Sequence, residues 1–571
     1  MENETVLEVS NFGLSFRSAP SEKPALEHIS FSVKAGETVA LVGESGSGKS
    51  VTAMSLLGLL PAKAVAKTSG DYSFSAPFFG TPQTVPAGAQ DLHKLRGSKI
   101  GVVFQEPMTA LNPVMPCGDQ IAEALRYHFP QAKEDVKERV YKLFREVRLP
   151  EPERLFEKYP HELSGGQRQR VMIALAISCE PLLLIADEPT TALDVTVQAA
   201  VLELLKDIQQ KTNMGLLFIT HDLGVVAQVA DRIVVMKEGR VVEQGTVHNV
   251  LNAPQHPYTK GLMACRPKPS QKNFSLLTVD DVLNNRQANL RQVSESGPTD
   301  IIARVENISK RYVMESGIFR KERKEFLAVD NVSFTIERGE TLGLVGESGC
   351  GKTTLSRMML GLLPTSEGTI SLFGRALHQL KPSEWKEMRK EVQIVFQDPY
   401  SSLNPKMTIG EAIMEPMRVY GLHGNESGRW KKMVELLERV GMSAAAATRF
   451  PHEFSGGQRQ RFVIARALSV EPSFVICDEA VAALDVSVQA QVLNLLNGLK
   501  ADFGLTYLFI SHDLNVVYYM SDRILVMNKG KVEEWGKAED VFFHPHSDYT
   551  KSLLASIPGG RDVPISGHDA S

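Results

Sequence analysis

The chain states one long passage twice. Tyr159 to Asp194 reads YPHELSGGQRQRVMIALAISCEPLLLIADEPTTALD, and Phe450 to Asp485 reads FPHEFSGGQRQRFVIARALSVEPSFVICDEAVAALD. Ser164 and Ser455, Asp187 and Asp478, and His221 and His512 are each 291 residues apart, and Gln105 and Gln397 are 292 apart. So constant an offset means two copies of one domain. Further upstream, Gly43 and Gly346 are 303 apart, which places extra residues in the first copy ahead of Gln105. The Gly/Pro/Ala-rich segment from Thr68 to Gln90 is the natural place for them and reads as a surface loop. The expected division is a first domain over 1–266, a polar linker with one short helix over 267–299, a second domain over 300–558, and a disordered tail over 559–571.

Each copy has the same internal order. In the first, Val6 to Phe16 and Leu26 to Lys34 alternate apolar and polar residues, as a half-exposed antiparallel sheet does. Glu37 to Gly43 is a short buried-strand pattern. Gln120 to Leu149 is helical and charged. Gly215 to Leu223 is a second buried strand, and Asp231 to Gly245 reads as a hairpin. In the second copy the corresponding early loop, Gly317 to Phe326, is basic and reads as a solvated hairpin turn.

Composition narrows the function classes. The 571 residues are 43% hydrophobic and 23% charged, an ordinary globular balance. The net charge of −4 gives no support to nucleic-acid binding. Five scattered cysteines without a C-x-x-C pair argue against a disulfide framework or a zinc cluster. The opening MENETVLEVSNF lacks the basic and apolar regions of a signal peptide. No uninterrupted apolar run reaches membrane-spanning length, so a membrane role is expected to come through partners.

The chemistry is concentrated in motifs that also occur twice. Gly43-Glu44-Ser45-Gly46-Ser47-Gly48-Lys49-Ser50, followed by Val51, and Gly346-Glu347-Ser348-Gly349-Cys350-Gly351-Lys352-Thr353, followed by Thr354, both fit G-x-x-x-x-G-K-[ST]. Glycines there let backbone N–H groups wrap phosphates. The lysine neutralises the outer phosphates, and the hydroxyl of Ser50 or Thr353 reaches Mg²⁺. Each match follows an apolar strand and precedes a helical stretch, the context that the motif requires. Asp187 and Asp478 end apolar strands, as a Mg²⁺-side acid does. Glu188 and Glu479 beside them are candidate general bases for an attacking water. His221 and His512 follow strands and suit a γ-phosphate contact. Gln105 and Gln397 also follow strands and suit orientation of water or Mg²⁺. The turns Ser164-Gly165-Gly166-Gln167 and Ser455-Gly456-Gly457-Gln458 open helices, where unpaired N–H groups and the helix dipole favour an anion.

Taken together, these strings resemble the ABC (ATP-binding cassette) ATPases. The Leu163 to Gln167 and Phe454 to Gln458 turns look like that family's signature sequence. Each copy carries the whole set in family order: phosphate loop, Q-loop, signature, acid strand, D-loop (Ala192-Leu193-Asp194; Ala483-Leu484-Asp485) and H-loop. The resemblance implies an α/β fold with two tandem ATPase domains. Each would have a RecA-like core, an antiparallel β-subdomain and a helical subdomain. It aligns Phe16 and Tyr312 with the aromatic that stacks on adenine. Phe454 stands where the signature usually has Leu, an apolar change that is not expected to disable the site.

EPMTALNP (Glu106 to Pro113), DPYSSLNP (Asp398 to Pro405) and the tails HPYTKGLMA and SDYTKSLLAS narrow the resemblance to the oligopeptide/dipeptide importer subfamily, in its fused two-cassette form. That implies ATP hydrolysis coupled to import of peptides or small peptide-like solutes. It implies two transmembrane permease subunits and an external solute-binding protein as partners, and a peripheral place on the cytoplasmic face of the inner membrane. It further implies head-to-tail closure of the cassettes over two ATP molecules. Grooves after Gln105 and Gln397 would receive the permeases, with Leu111 and Leu403 as their test positions. Many unfused relatives carry a C-terminal cysteine cluster for an iron–sulfur centre. Here Cys265 stands alone in the first tail and no cysteine follows Cys477, so no such cluster is expected. A soluble, ribosome-associated twin cassette would favour a long, highly charged linker, which 267–299 is not. A phosphate-loop kinase or GTPase has no use for two signature turns.

Overall fold

A computed structural model of the chain describes residues 4–17, 24–74, 83–86, 90–130, 135–191, 193–290, 300–316, 322–482 and 484–557. Two compact units emerge. The first comprises 1–263 and 279–285; the second comprises 264–278 and 286–571.

The first unit is built on a six-stranded sheet in the order Arg240–Thr246, Arg232–Lys237, Thr38–Val42, Gly215–Thr220, Leu183–Asp187, Ile100–Val103. The last five of these run parallel to one another. Parallel strands are covered on both faces, which explains their unbroken apolar sequences. Leu184 and Ala186 belong to a core shared with the helices Cys117–His128, Val136–Glu146 and Gly165–Ile177. Leu183 and Ile185, one residue out of phase, belong to a second core shared with an antiparallel sheet. That sheet has the order Leu26–Lys34, Thr5–Phe16, Val65–Phe74, Gln83–Pro86. Phe12, Tyr72 and Phe74 pack edge-to-face within it and are buried.

The second unit repeats the plan. Its central sheet runs Val392–Val395, Phe474–Asp478, Thr506–Ile510, Thr341–Val345, Arg523–Asn528, Lys531–Lys537. Its antiparallel sheet starts from the long pair Ile301–Ser316 and Glu322–Glu337. The tandem α/β fold, with its antiparallel and helical subdomains, is therefore present in both copies.

Two expectations change. Thr68–Phe74 is not loop: it continues strand Val65–Phe74, pairing with Leu7 to Leu14 and burying Tyr72 and Phe74. Polar and glycine residues on its outward side hid the alternation. Residues 75–82 and 87–89 of that segment lie outside the described residues, as do 317–321 of the basic turn and the whole expected tail. The segment read as a plain linker also has docked parts. Leu276 is buried; its N–H donates to Asn494 Oδ1 at 2.9 Å, and its carbonyl accepts from Asn494 Nδ2 at 2.7 Å. Tyr519 donates to the Phe274 carbonyl. The short helix does occur, at Val279–Leu283, and Val279 packs against Gly261.

Candidate active site

In each unit, four adjacent parallel strands deliver the predicted residues at their carboxyl ends, where open α/β sheets place ligands. In the first, Thr38–Val42 leads into the phosphate loop, Gly215–Thr220 into His221 and Ile100–Val103 into Gln105. Leu183–Asp187 ends in the acid itself.

The lysines of the two phosphate loops are held alike. Lys49 Nζ donates to the Gly43 and Glu44 carbonyls at 2.7 and 2.9 Å, and Lys352 does the same to Gly346 and Glu347. Both lysines are buried, while Ser45, Gly46, Ser348 and Gly349 form an exposed tip. Gly48 and Gly351, which open the helices Lys49–Leu56 and Lys352–Met359, have φ of 103° and 110°. A side chain at Gly351 would also meet the Ala328 carbonyl at 2.4 Å, so strain and space both require glycine there.

The acids differ slightly between copies. Ser50 Oγ donates to Asp187 Oδ1 at 3.1 Å. At Asp478 the bond, 3.2 Å to Oδ2, comes from Ser356, one helical turn after the loop; Ala53 holds the matching place in the first copy. Burial pushes both aspartic acids above the usual carboxylate range, against the pull of these hydroxyls and of Lys49 or Lys352. A buried carboxylate that costs energy when charged, one hydroxyl in reach and a lysine nearby suit a divalent cation completed by nucleotide phosphates. Among the described residues no three His, Cys, Asp or Glu side chains cluster in a way that could hold a metal ion.

The structure gathers Gln105, Glu188 and His221 into one group. Gln105 Nε2 donates to Glu188 Oε2 at 2.9 Å, and His221 Nδ1 lies 3.1 Å from Oε1. In the second copy Gln397 Nε2 is 2.8 Å from Glu479 Oε2 and His512 Nδ1 is 3.8 Å from it. Burial works to raise the Glu188 carboxyl, but His221, Thr191 and Lys49 pull it below its ordinary value. His512 draws Glu479 down in the same direction, with burial opposing. Both glutamates have positive φ, 47° and 49°, a strained setting for a non-glycine residue and one typical of functional positions.

The signature turns are helix N-caps. Ser164 Oγ accepts from Gln167 N, and Gln167 Oε1 accepts from Ser164 N; Ser455 and Gln458 repeat both bonds. The two glutamines thus brace their turns. The second glycine is sterically required: a Cβ would meet Val197 Cγ1 at 2.6 Å at Gly166, and Val488 Cγ1 at 2.2 Å at Gly457. Phe454 is buried, edge-on to Phe462 at 4.8 Å, with the Arg449 guanidinium over its ring. Phe16 is half-buried and Tyr312 is exposed, both on their antiparallel sheets.

Two residues escaped the sequence reading. Tyr258, fully buried, accepts from the Glu44 N–H at 3.1 Å and donates to Glu44 Oε2 at 3.2 Å. Tyr549, 291 residues on, accepts from the Glu347 N–H at 3.3 Å. Their repeated setting, Y-T-K, was visible in both tails, but nothing local tied it to a phosphate loop more than 200 residues away. Leu111 and Leu403, by contrast, are buried at 1% and 2% exposure, although Leu403 also lines a cavity of about 390 Å³ beside Tyr400 and Met407. Met108, Val114 and Tyr400 are the exposed apolar residues of those segments.

The "ABC transporter" family matches residues 26–191 and 329–482, and the "Oligopeptide/dipeptide transporter, C-terminal region" family matches 242–294. The chain is 44% identical over 566 residues to the glutathione import ATP-binding protein GsiA of Salmonella typhimurium strain LT2, covering 98% of this chain and 90% of that protein. It is 44% identical over 560 residues to the protein of the same name from Escherichia coli K12, covering 97% and 89%. A solved bacterial ABC transporter cassette, MJ0796, is 28% identical, with a TM-score of 0.38, over 42% of this chain and 99% of its own.

Proposed function

The chain belongs to the ABC transporter family and is one of its ATPases, and we propose that it energises import of peptides or small peptide-like solutes, glutathione among them. The observation that carries this reading is the presence on one chain of two complete ATPase constellations, each set at the carboxyl edge of a parallel sheet. Similarity to the named glutathione import proteins over almost the whole chain supports the solute class.

In the proposed reaction Lys49 and Lys352, with the N–H groups of their loops, hold the β- and γ-phosphates. Asp187 with Ser50, and Asp478 with Thr353 and Ser356, would hold Mg²⁺, which when bound neutralises developing phosphate charge. Glu188 and Glu479, kept ionised by their neighbours, take the proton of the attacking water. Gln105, Gln397, His221 and His512 orient that base and the γ-phosphate. Phe16 and Tyr312 are assigned to the adenine. Ser164, Gly165 and Gly166 are assigned to the ATP of the other cassette, and Ser455, Gly456 and Gly457 reciprocally. The free first-turn N–H groups of their helices give these turns the means to meet a phosphate.

Among the described residues no helix is long and apolar enough to cross a membrane. Two permease subunits are therefore assigned the transport path, an external solute-binding protein the capture of solute, and this chain a peripheral place on the cytoplasmic face of the inner membrane. In the second cassette a cavity of about 420 Å³, lined by Leu362, Phe396, Val419 and Tyr420 but also by Arg389, Gln393, Glu415 and Arg466, offers a mixed apolar and charged seat for a permease segment. The test is ATP turnover of Glu188→Gln and Glu479→Gln, made separately. Each is expected to lower turnover; wild-type turnover in either refutes two competent sites.

A further inference from the structure

We propose that Thr191 is a positioning residue for Glu188, and that the second cassette, with Ala482 in the matching place, holds its glutamate less firmly, so that the two ATP sites turn over unequally. This rests on the reading of the two glutamates as bases and extends it to a difference between them.

Thr191 follows Glu188 by three residues. Its N–H donates to the Glu188 carbonyl at 3.2 Å, closing a turn, and its hydroxyl donates to Glu188 Oε2 at 3.0 Å. The same oxygen takes the Gln105 bond, while Oε1 faces His221. Both carboxylate oxygens are thus held, by groups from three separate strand ends. In the second cassette the turn is retained, with Ala482 N donating to the Glu479 carbonyl at 3.1 Å. The hydroxyl is missing because the residue is alanine, and the histidine stands 3.8 Å away rather than 3.1 Å.

The difference bears on catalysis because Gln105 and Gln397 also have work to do on nucleotide, water or cation. When Gln105 turns to that work, Thr191 and His221 still hold Glu188. When Gln397 does so, Glu479 keeps the more distant His512. A base that rotates out of line spends less time in the geometry that accepts the water proton. The Thr191 hydroxyl is also fixed to the same turn as the glutamate, so it stays in place as the side chains around ATP rearrange.

The experiment uses the full chain and measures steady-state ATP hydrolysis against ATP concentration, with melting temperatures, for Thr191→Ala, Thr191→Ser, Ala482→Thr and Glu188→Gln. Thr191→Ala is expected to lower kcat about three- to tenfold, the worth of one ordinary intramolecular hydrogen bond, and to leave KM unchanged. Thr191→Ser restores kcat, and Ala482→Thr raises it. Wild-type kcat in Thr191→Ala, with turnover lost in Glu188→Gln, overturns the role of Thr191 and leaves the base reading standing. Wild-type turnover in Glu188→Gln removes the base reading itself. A lower melting temperature with a kcat that Thr191→Ser does not restore shows a purely structural threonine and overturns the proposal. An unchanged or lower kcat in Ala482→Thr overturns the inequality of the sites.

Discussion

Tyr258→Phe tests how the first phosphate loop is held in shape. The tyrosine is fully buried on the helix Pro257–Ala264, and its hydroxyl makes two bonds to one loop residue, accepting from Glu44 N and donating to Glu44 Oε2. The substitution keeps the ring and removes only the oxygen, so no cavity of consequence forms. What is lost is a neutral bond to a half-buried N–H and a bond to a carboxylate. Glu44 can recover part of the second from water. A net loss of about 1 kcal/mol is expected, the usual worth of one intramolecular hydrogen bond. Glu44 lies inside the loop assigned to the phosphates, so the cost is expected to fall on preorganisation for nucleotide. If all of it appears in binding, ATP affinity falls about fivefold. Titration of a fluorescent ATP analogue measures this, in a Lys352→Ala background so that binding at the first loop is read. Tyr549→Phe, read in a Lys49→Ala background, should move affinity in the same direction through Glu347. Unchanged affinity in Tyr258→Phe together with an unchanged melting temperature would refute the brace. A lower melting temperature with unchanged affinity would show that the tyrosine supports the fold and not the loop.

Two further outcomes follow from burial. Leu276→Ala removes a side chain that is 1% exposed from a segment pinned by Asn494, and should destabilise the second unit by about 2–4 kcal/mol in urea unfolding followed by its tryptophan fluorescence. Asp478→Asn should abolish Mg²⁺-dependent turnover at its site while raising the melting temperature of the nucleotide-free protein at neutral pH. The sign follows from the raised carboxyl pKa: its protonated form is favoured in the fold, so the wild type loses stability as pH rises through that value. The advantage of the variant should therefore shrink as pH is lowered, as melting curves across the acid range would show.

Legibility in the sequence followed the range of the interactions. Residues whose role depends on a neighbour within a few positions were readable. Gly48 before Lys49, Ser164 with Gln167, and Asp187 at the end of an apolar strand all carry their context in the adjoining residues. The repeat then made weak single signals strong: one histidine after a strand says little, whereas His221 and His512 at a fixed offset say more. Residues whose partners are distant in sequence were not readable. Tyr258 touches Glu44 across 214 positions, and Leu276 meets Asn494 across 218. Val65–Phe74 was misread in part because Ser69, Gly70 and Asp71 face outward and mask the buried Tyr72 and Phe74. Leu111 and Leu403 belong to a motif whose helical turn is not legible in the string itself. That turn directs Met108 and Tyr400 outward and the leucines into the core.

The two copies also show where duplication has left freedom to diverge. The groups assigned to phosphates, cation and water are the same or chemically close: Lys49 and Lys352, Ser50 and Thr353, Asp187 and Asp478, Glu188 and Glu479. Other positions differ: Thr191 becomes Ala482, Ala53 becomes Ser356, Ser47 becomes Cys350 and Leu163 becomes Phe454. The first two change which hydroxyl bonds a site carboxylate, Thr191 on Glu188 and Ser356 on Asp478, without altering the carboxylate. A single-copy ATPase that pairs with itself must keep both sites identical, since one gene writes both. A fused chain has no such constraint, and one chain carries both copies whatever their affinity for each other. One site can then tighten its base through Thr191 while the other tightens its acid through Ser356. On that reasoning, exchanging the two pairs between cassettes should exchange the kinetic character of the sites and leave the phosphate loops equally able to bind ATP.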